Sequence, residues 1–434
     1  MTMARENNNI TDRREDPGEL HEEAYQFPDG GIIPSIMEYT MSQAPRPNRP
    51  LALAGALTMT SHMMGRRYIA EDGTSPNIYL IALANSGCGK DYPRKVNRNI
   101  AVELGMVGTV CDSFASGGGL EDSVLMNTRV LAQYDEMDTL FRAMKEDKSG
   151  SSEPMSAMML SLYGDSGSSH SRRQLSAVSN SKSQIPAYCI RPSLSIFGTA
   201  IPKQFFASMS ERMLTNGLFA RCLLIPTGDR PALNDAPYRP FSASLVSYLQ
   251  DFAGCTTDPV TGRVSAPIMK ANEKPMLMTV PFDEEVRPFV KESGEEYDAE
   301  WNRTESDAER ALLARAQEKV IKLSLVFAVS ENHVHPVIGI RHLFRARQIV
   351  NFSNRKSMYL ASMYCADSEF HDLQLRALRK IPEDGILHNK LLKNLHLPAS
   401  QFGELMDTLV LSGEVVRMSG TSDRNPLYKV ANDE

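Results

Sequence analysis

Residues 77–91, read NIYLIALANSGCGKD, constrain the fold more than any other stretch of the chain. A short apolar run passes straight into a turn that carries two glycines and ends in Lys90. This is the pattern of a P-loop between a strand and a helix. Successive backbone N–H groups wrap phosphate oxygens, the helix N-terminus favours negative charge, and the lysine reaches the outer phosphates. The cradle would comprise Asn85, Ser86, Gly87, Cys88, Gly89, Lys90 and Asp91. Two positions depart from the strict pattern. Ala84 replaces its first glycine, and Asp91 stands where a serine or threonine normally holds Mg²⁺. An aspartate offers a hard cation an oxygen ligand, directly or through water. The plain alternative is a chance Gly-x-Gly-Lys turn.

Three further segments give this turn a context. Residues 130–138, VLAQYDEMD, form an apolar run ending in Asp135 and Glu136, about 45 positions after Lys90. In phosphoryl transfer such a pair would orient hydrated Mg²⁺ (Asp135) and activate the attacking water (Glu136). Residues 192–202, PSLSIFGTAIP, form another apolar run, and Thr199 at its end is a candidate γ-phosphate sensor. Residues 216–226, NGLFARCLLIP, place Arg221 before a strand and after a helix-like segment, 203–214. Arg221 is a candidate arginine finger for a neighbouring subunit's nucleotide, with Arg212 the alternative. Each segment also has a bland reading: a solvated acidic turn, a threonine before proline, a surface arginine.

Taken in order, these motifs resemble a family of helicase-like P-loop ATPases of phages, prophages and plasmids, often beside or fused to primases. The resemblance covers roughly residues 35–360. Its parts also resemble the AAA+ plan of the MCM helicases. It implies an α/β P-loop NTPase core, AAA+ favoured and RecA-like the alternative, followed by a helical region and a C-terminal winged helix. It implies ATP and Mg²⁺ as ligands, with Asp135 on the metal; Asp91, a departure from the family's pattern, is the second metal candidate by its own oxygen chemistry. Lys90, Asp135, Glu136, Thr199 and Arg221 take the roles given above, and Arg315 resembles the lid arginine that contacts the γ-phosphate. The activity implied is an ATP-hydrolysing DNA translocase or helicase for replication of a mobile genetic element, working as a homo-oligomeric ring, a hexamer. Single-stranded or forked DNA and a primase or initiator would be its partners. The alternative is a helicase loader or switch ATPase that unwinds nothing.

Composition limits where nucleic acid could bind. The formal net charge is −6, so DNA contact requires a local basic patch such as a pore lining. Arg172, Arg173 and Lys182, in a Gly/Ser-rich stretch before the third apolar run, are the DNA-contact candidates; a surface loop is the plain alternative. Cysteines 88, 111, 189, 222, 255 and 365 have no C-x-x-C spacing and read as reduced thiols of a cytoplasmic protein. Cys88 lies within the cradle, so bound nucleotide would shield it from alkylation. No apolar run reaches the length of a membrane span, and no signal peptide is evident.

The expected organisation is a disordered polar tail (1–30), an ATPase core (31–235), a mixed then helical lid region (236–365) and a winged helix (366–434). A helix over 50–67 should turn one face inward. Residues 108–126 read as a strand, a triple-glycine turn and a helix. Residues 284–330 read as long helices with charges on one face. The C-terminal helices, 371–380, 385–395 and 398–411, precede two wing strands. Eight basic and eight acidic residues balance between 376 and 434, which leaves protein contact level with duplex recognition for this module.

Overall fold

The computed structural model describes residues 15–28, 30–146, 153–173, 185–236, 238–267, 269–366, 369–422 and 424–431. Five apolar segments form one sheet: β1 (Tyr79–Leu83), β2 (Val110–Cys111), β3 (Arg129–Tyr134), β4 (Ser193–Ala200) and β5 (Cys222–Pro226). Their order is β2-β3-β4-β1-β5, and every neighbouring pair is parallel. Near-continuous apolar runs suit such strands because both faces are covered. Successive side chains point to opposite faces. Leu80, Ala82, Leu131, Phe197 and Leu223 therefore enter one core, while Tyr79, Ile81, Ala132, Ile196 and Leu224 enter the other.

The first core is closed by α1 (Ile32–Gln43), α2 (Arg49–Met64) and α3 (Asp91–Glu103). The Asn48 side chain caps α2 by accepting the Leu51 N–H at 3.0 Å, and Pro50 sits in the first turn. Every residue of α2 from Leu51 to Met64 is buried, so the helix has no solvent face. A Cβ on Gly55 would lie 2.6 Å from Pro93 Cβ, so only glycine lets α2 and α3 approach this closely. The second core takes in α4 (Gly117–Asn127), α5 (Met137–Glu146) and α6 (Glu153–Asp165). The triple glycine is the first turn of α4 rather than a turn before it, because the Ser116 hydroxyl accepts the Gly119 N–H and caps the helix there.

Beyond β5 the chain builds a helical region that includes α7 (Asp307–Leu313), α8 (Ala316–Glu331) and α9 (Ile340–Tyr364). α8 is buried from Lys319 to Ser330, Lys322 included, so the expected charged outer face is not found along that stretch. The last segment contains α10 (Glu369–Lys380), β6 (Ile386–Leu387), α11 (His388–Leu395), α12 (Ala399–Leu411), β7 (Val415–Ser422) and β8 (Asn425–Val430). Its three strands pair antiparallel in the order β6-β8-β7, around a core of their own that includes Leu391, Phe402, Leu405 and Tyr428. Ile386 and Leu387, expected in a helix, pair instead with Tyr428 and Leu427.

Two other segments differ from expectation. Part of the polar tail is packed: Leu20, Ala24 and Tyr25 are buried around a short 3₁₀ turn, Glu22–Tyr25. Glu22 pairs with Arg49, and Lys356 of α9 pairs with Asp16. A few apolar anchors suffice where the core offers a matching surface. The 203–214 segment is broken into short helices, Pro202–Ala207 and Glu211–Thr215, followed by Leu218–Arg221. Gly217, at φ 84°, turns the chain into the last of these. Among the described residues no helix is long and apolar enough to cross a membrane.

Candidate functional site

The parallel registers bring the carboxyl ends of four strands together. Leu83 stands beside Ala200 and Pro226, and Tyr134 stands beside Gly198. Asn85–Lys90, Asp135 and Thr199 therefore share one edge of the sheet, where ligands of open α/β folds bind. Ala84 N–H donates to Ala200 O at 2.9 Å, and Thr227 N–H donates to Leu83 O at 3.0 Å, which pins the start of the turn.

Within the turn Gly87 and Gly89 adopt φ 77° and 88°. Both conformations favour glycine. A Cβ on Gly89 would lie 2.9 Å from the Arg46 carbonyl oxygen, and one on Gly87 would lie 3.2 Å from the Arg230 guanidinium. Arg230 Nε donates to Gly87 O at 3.2 Å. Neither arginine figured in the sequence reading, since nothing local in 46 or 230 points to the turn. Asn85, Ser86 and Gly87 are exposed, and Lys90 is half-buried with no ion pair among the described residues. α3 starts at Asp91 without a side-chain cap, but in its first turn Pro93 has no N–H and the Tyr92 N–H donates to Gly89 O at 3.2 Å, which leaves fewer of these groups open to an anion. Cys88 is wholly buried. A thiol closed off in this way offers an alkylating agent nothing for nucleotide to shield, so the expected protection does not arise.

Asp91 and Asp135 meet through one side chain. Arg94 lies 2.7 Å from Asp91 Oδ1 and 2.8 Å from Asp135 Oδ1. The Thr199 hydroxyl, fully buried, donates to Asp135 Oδ1 at 3.3 Å. Asn97 Nδ2 donates to Gln133 Oε1 at 3.1 Å, and Gln133 Nε2 donates to Arg94 O at 3.3 Å. These two buried bonds fasten α3 to β3 one turn from the carboxylates. The Glu136 side chain is exposed while its carbonyl accepts the Thr139 N–H at the start of α5. Two carboxylates converging on one cation fit a hard divalent ion, which is commonly held by one or two carboxylates together with substrate phosphates. Among the described residues there is no cluster of three or more acidic, histidine or cysteine side chains able to hold a metal without such help.

Arg221 and Arg315 lie at the other edge. Arg221 immediately precedes Cys222, which is level with Tyr79 at the amino end of β1. The five residues of β1 separate that edge from the turn by roughly 16 Å. Arg221 donates to Gly217 O at 2.9 Å and lies over the Tyr163 ring at 5.5 Å. Burial lowers its pKa, and the neighbouring charge of Arg315 lowers it further. Arg315 pairs with Glu318 at 3.2 Å, at the junction of α7 and α8. Lys322 donates to Ser75 O and Asn77 Oδ1, and burial pushes its pKa down to about 8. Lys319 donates to Asn354 Oδ1 and is also lowered to about 8 by burial. Arg315 is thus remote from its own Lys90 and adjacent to Arg221. Arg212, the alternative finger, is exposed on a short neighbouring helix.

The DNA-contact candidates divide. A short antiparallel pair, Ser169–Ser171 with Tyr188–Ile190, rises from the second core, and Arg172 N–H donates to Ala187 O at its outer end. His170 anchors the base between Asp165 (2.8 Å) and Glu121 (3.0 Å). Arg172 is tied to Asp122 at 3.1 Å, and Arg173 N–H donates to Glu121 Oε1. Lys182 lies outside the described residues. No model of a known protein family matches the chain, and no curated protein matches it.

Proposed function

We propose that the protein is an ATP-hydrolysing P-loop enzyme of the AAA+ type that works between subunits of a homo-oligomeric ring. The observation that carries this reading is the convergence of the Lys90 turn, Asp91, Asp135 and Thr199 at one sheet edge. In this mechanism the Asn85–Lys90 backbone and the α3 N-terminus cradle the phosphates, and Lys90 reaches the outer ones. Asp91 and Asp135 would hold Mg²⁺, which when bound neutralises charge on the transferred phosphoryl group. Glu136, exposed beside Asp135, orients and deprotonates the attacking water, while buried Thr199 fixes Asp135. Arg221 and Arg315 share the opposite edge, which supports their delivery to a neighbour's nucleotide rather than to their own.

Within this reading the work done is translocation on DNA, as a helicase for a mobile genetic element, with single-stranded or forked DNA as substrate. The element order of residues 369–430, three helices and a three-stranded antiparallel sheet, supports a winged helix there. A loader or switch ATPase is the second reading. It is favoured by one observation: Arg172 is already paired with Asp122. The test is ATP turnover with and without single-stranded DNA, with Lys90→Ala as control. DNA stimulation that vanishes in the variant supports the motor. Lysine-dependent turnover indifferent to DNA supports the switch, and turnover that survives Lys90→Ala removes both.

A further inference from the structure

The Asp91–Arg94–Asp135 bridge accounts for the most unusual feature of the turn. A carboxylate at position 91 adds negative charge beside Asp135, and two such groups repel unless a cation lies between them. Arg94, one helical turn after Asp91, is that cation. It reaches Asp91 Oδ1 at 2.7 Å and Asp135 Oδ1 at 2.8 Å, and its side chain is only 14% exposed. Its Nε is buried with no partner among the described residues, and its Nη2 carries both carboxylate contacts. The backbone of its turn is fixed through Gln133.

We propose that Arg94 is a resident counter-cation that competes with divalent metal for Asp91 and Asp135. The inference rests on the nucleotide reading above for its purpose, but its chemistry stands on these three side chains. A free divalent ion must displace a guanidinium already hydrogen-bonded to Asp91 and ion-paired with Asp135. An ion arriving with nucleotide brings phosphate oxygens as additional ligands, and these tip the exchange. The site therefore discriminates against metal alone, and the aspartate at position 91 is tolerable because Arg94 is present.

Mn²⁺ binding to the full chain without nucleotide, followed by electron paramagnetic resonance, tests this. Arg94→Gln should bind Mn²⁺ about tenfold more tightly than the unaltered protein, since a charge-assisted competitor is gone. Adding Asp135→Asn to that variant should cancel the gain. Arg94→Lys, which keeps the positive charge on a shorter side chain with a more strongly hydrated head, should show a smaller gain and serves if the glutamine variant does not fold. Equal or weaker Mn²⁺ binding by a folded Arg94 variant overturns the inference. ATP binding and its loss in Lys90→Ala, measured separately, decide the nucleotide reading. A failed Mn²⁺ result with Lys90-dependent ATP binding intact would thus sink only the role of Arg94.

Discussion

The two edges of the central sheet are built in opposite ways. At the carboxyl edge the polar groups stand partly in water: Lys90 is half-buried, and Asp135 and Glu136 are exposed. At the amino edge the charges are cationic and sunk into the protein, with Lys319 and Lys322 nearly inaccessible and Arg221 and Arg315 closer to the surface. Burying two ammonium groups costs free energy, as their lowered pKa values record. That cost is met by Asn354, Asn77, Ser75 and Glu318. One edge is left open to solvent, while the other holds its lysines buried among hydrogen-bond partners. In a ring the two edges of successive subunits would be complementary.

The largest expected effect concerns function across subunits. Arg221→Ala should lower ATP turnover by about 10³-fold. Lys90→Ala should lower it by roughly a hundredfold or more. Mixed in equal amounts, the two inactive variants should recover about a quarter of wild-type turnover, because half the sites keep Lys90 and half of those meet an intact arginine. No recovery from a mixture shown to co-assemble would place Arg221 outside the neighbour's site.

Next in size is the buried amino edge. Lys322→Ala would leave Ser75 O and Asn77 Oδ1 without their buried donor, and chemical denaturation should report a loss of about 3 kcal/mol. A loss below about 1 kcal/mol would mean that the amino edge does not depend on its buried cation. A smaller effect is expected at the open edge. Gly89→Ala combines a left-handed φ with a 2.9 Å approach to the Arg46 carbonyl. It should cost about 1–2 kcal/mol of stability and weaken nucleotide binding, measurable by calorimetry.

The smallest effect lies away from both edges. Burial, and then the charges of Arg341 and Arg345, lower the His342 pKa from 6.5 to about 4. Its Nδ1 accepts the Gly339 N–H, and its other ring nitrogen faces Glu331. The unfolded chain takes up this proton first, so stability should fall as pH drops from about 6.5 towards 4. His342→Gln should flatten the decline in melting temperature over that window. Wholly buried His62, lowered by burial and then by Arg129, acts in the same direction, so the slope is reduced and not abolished. An unchanged slope in the variant would exclude a contribution from His342.

The carboxyl edge was more legible in the sequence than the amino edge, for a physical reason. Apolar runs followed by Gly-x-Gly-Lys, Asp-Glu or a lone threonine are local patterns, and parallel pairing then aligns their ends. The same logic yields the five strands but not their order, which depends on crossovers of more than a hundred residues. Arg94 was missed because an arginine three positions after an aspartate reads as an ordinary helix pair; its second partner comes from β3. Residues 284–330 read as helices with charges on one face, and such periodicity does not distinguish an outer face from one buried against polar partners, as Lys319 and Lys322 are. The packed tail escaped for the converse reason: Leu20, Ala24 and Tyr25 are too few to signal a core until α9 and α2 supply the surface.

The complete enclosure of α2 has a consequence for how the gene tolerates change. An ordinary amphipathic helix gives a saturation-mutagenesis map with a 3.6-residue rhythm of sensitive and permissive sites. From Leu51 to Met64 there is no permissive side, so the map should instead show an unbroken intolerant band in which Ala52, Ala56 and Thr60 reject bulky or charged replacements as firmly as Leu53 and Leu57 do. Sequence drift in this protein would accordingly be channelled around that segment, making it a fixed landmark for recognising distant relatives even where the surface has diverged.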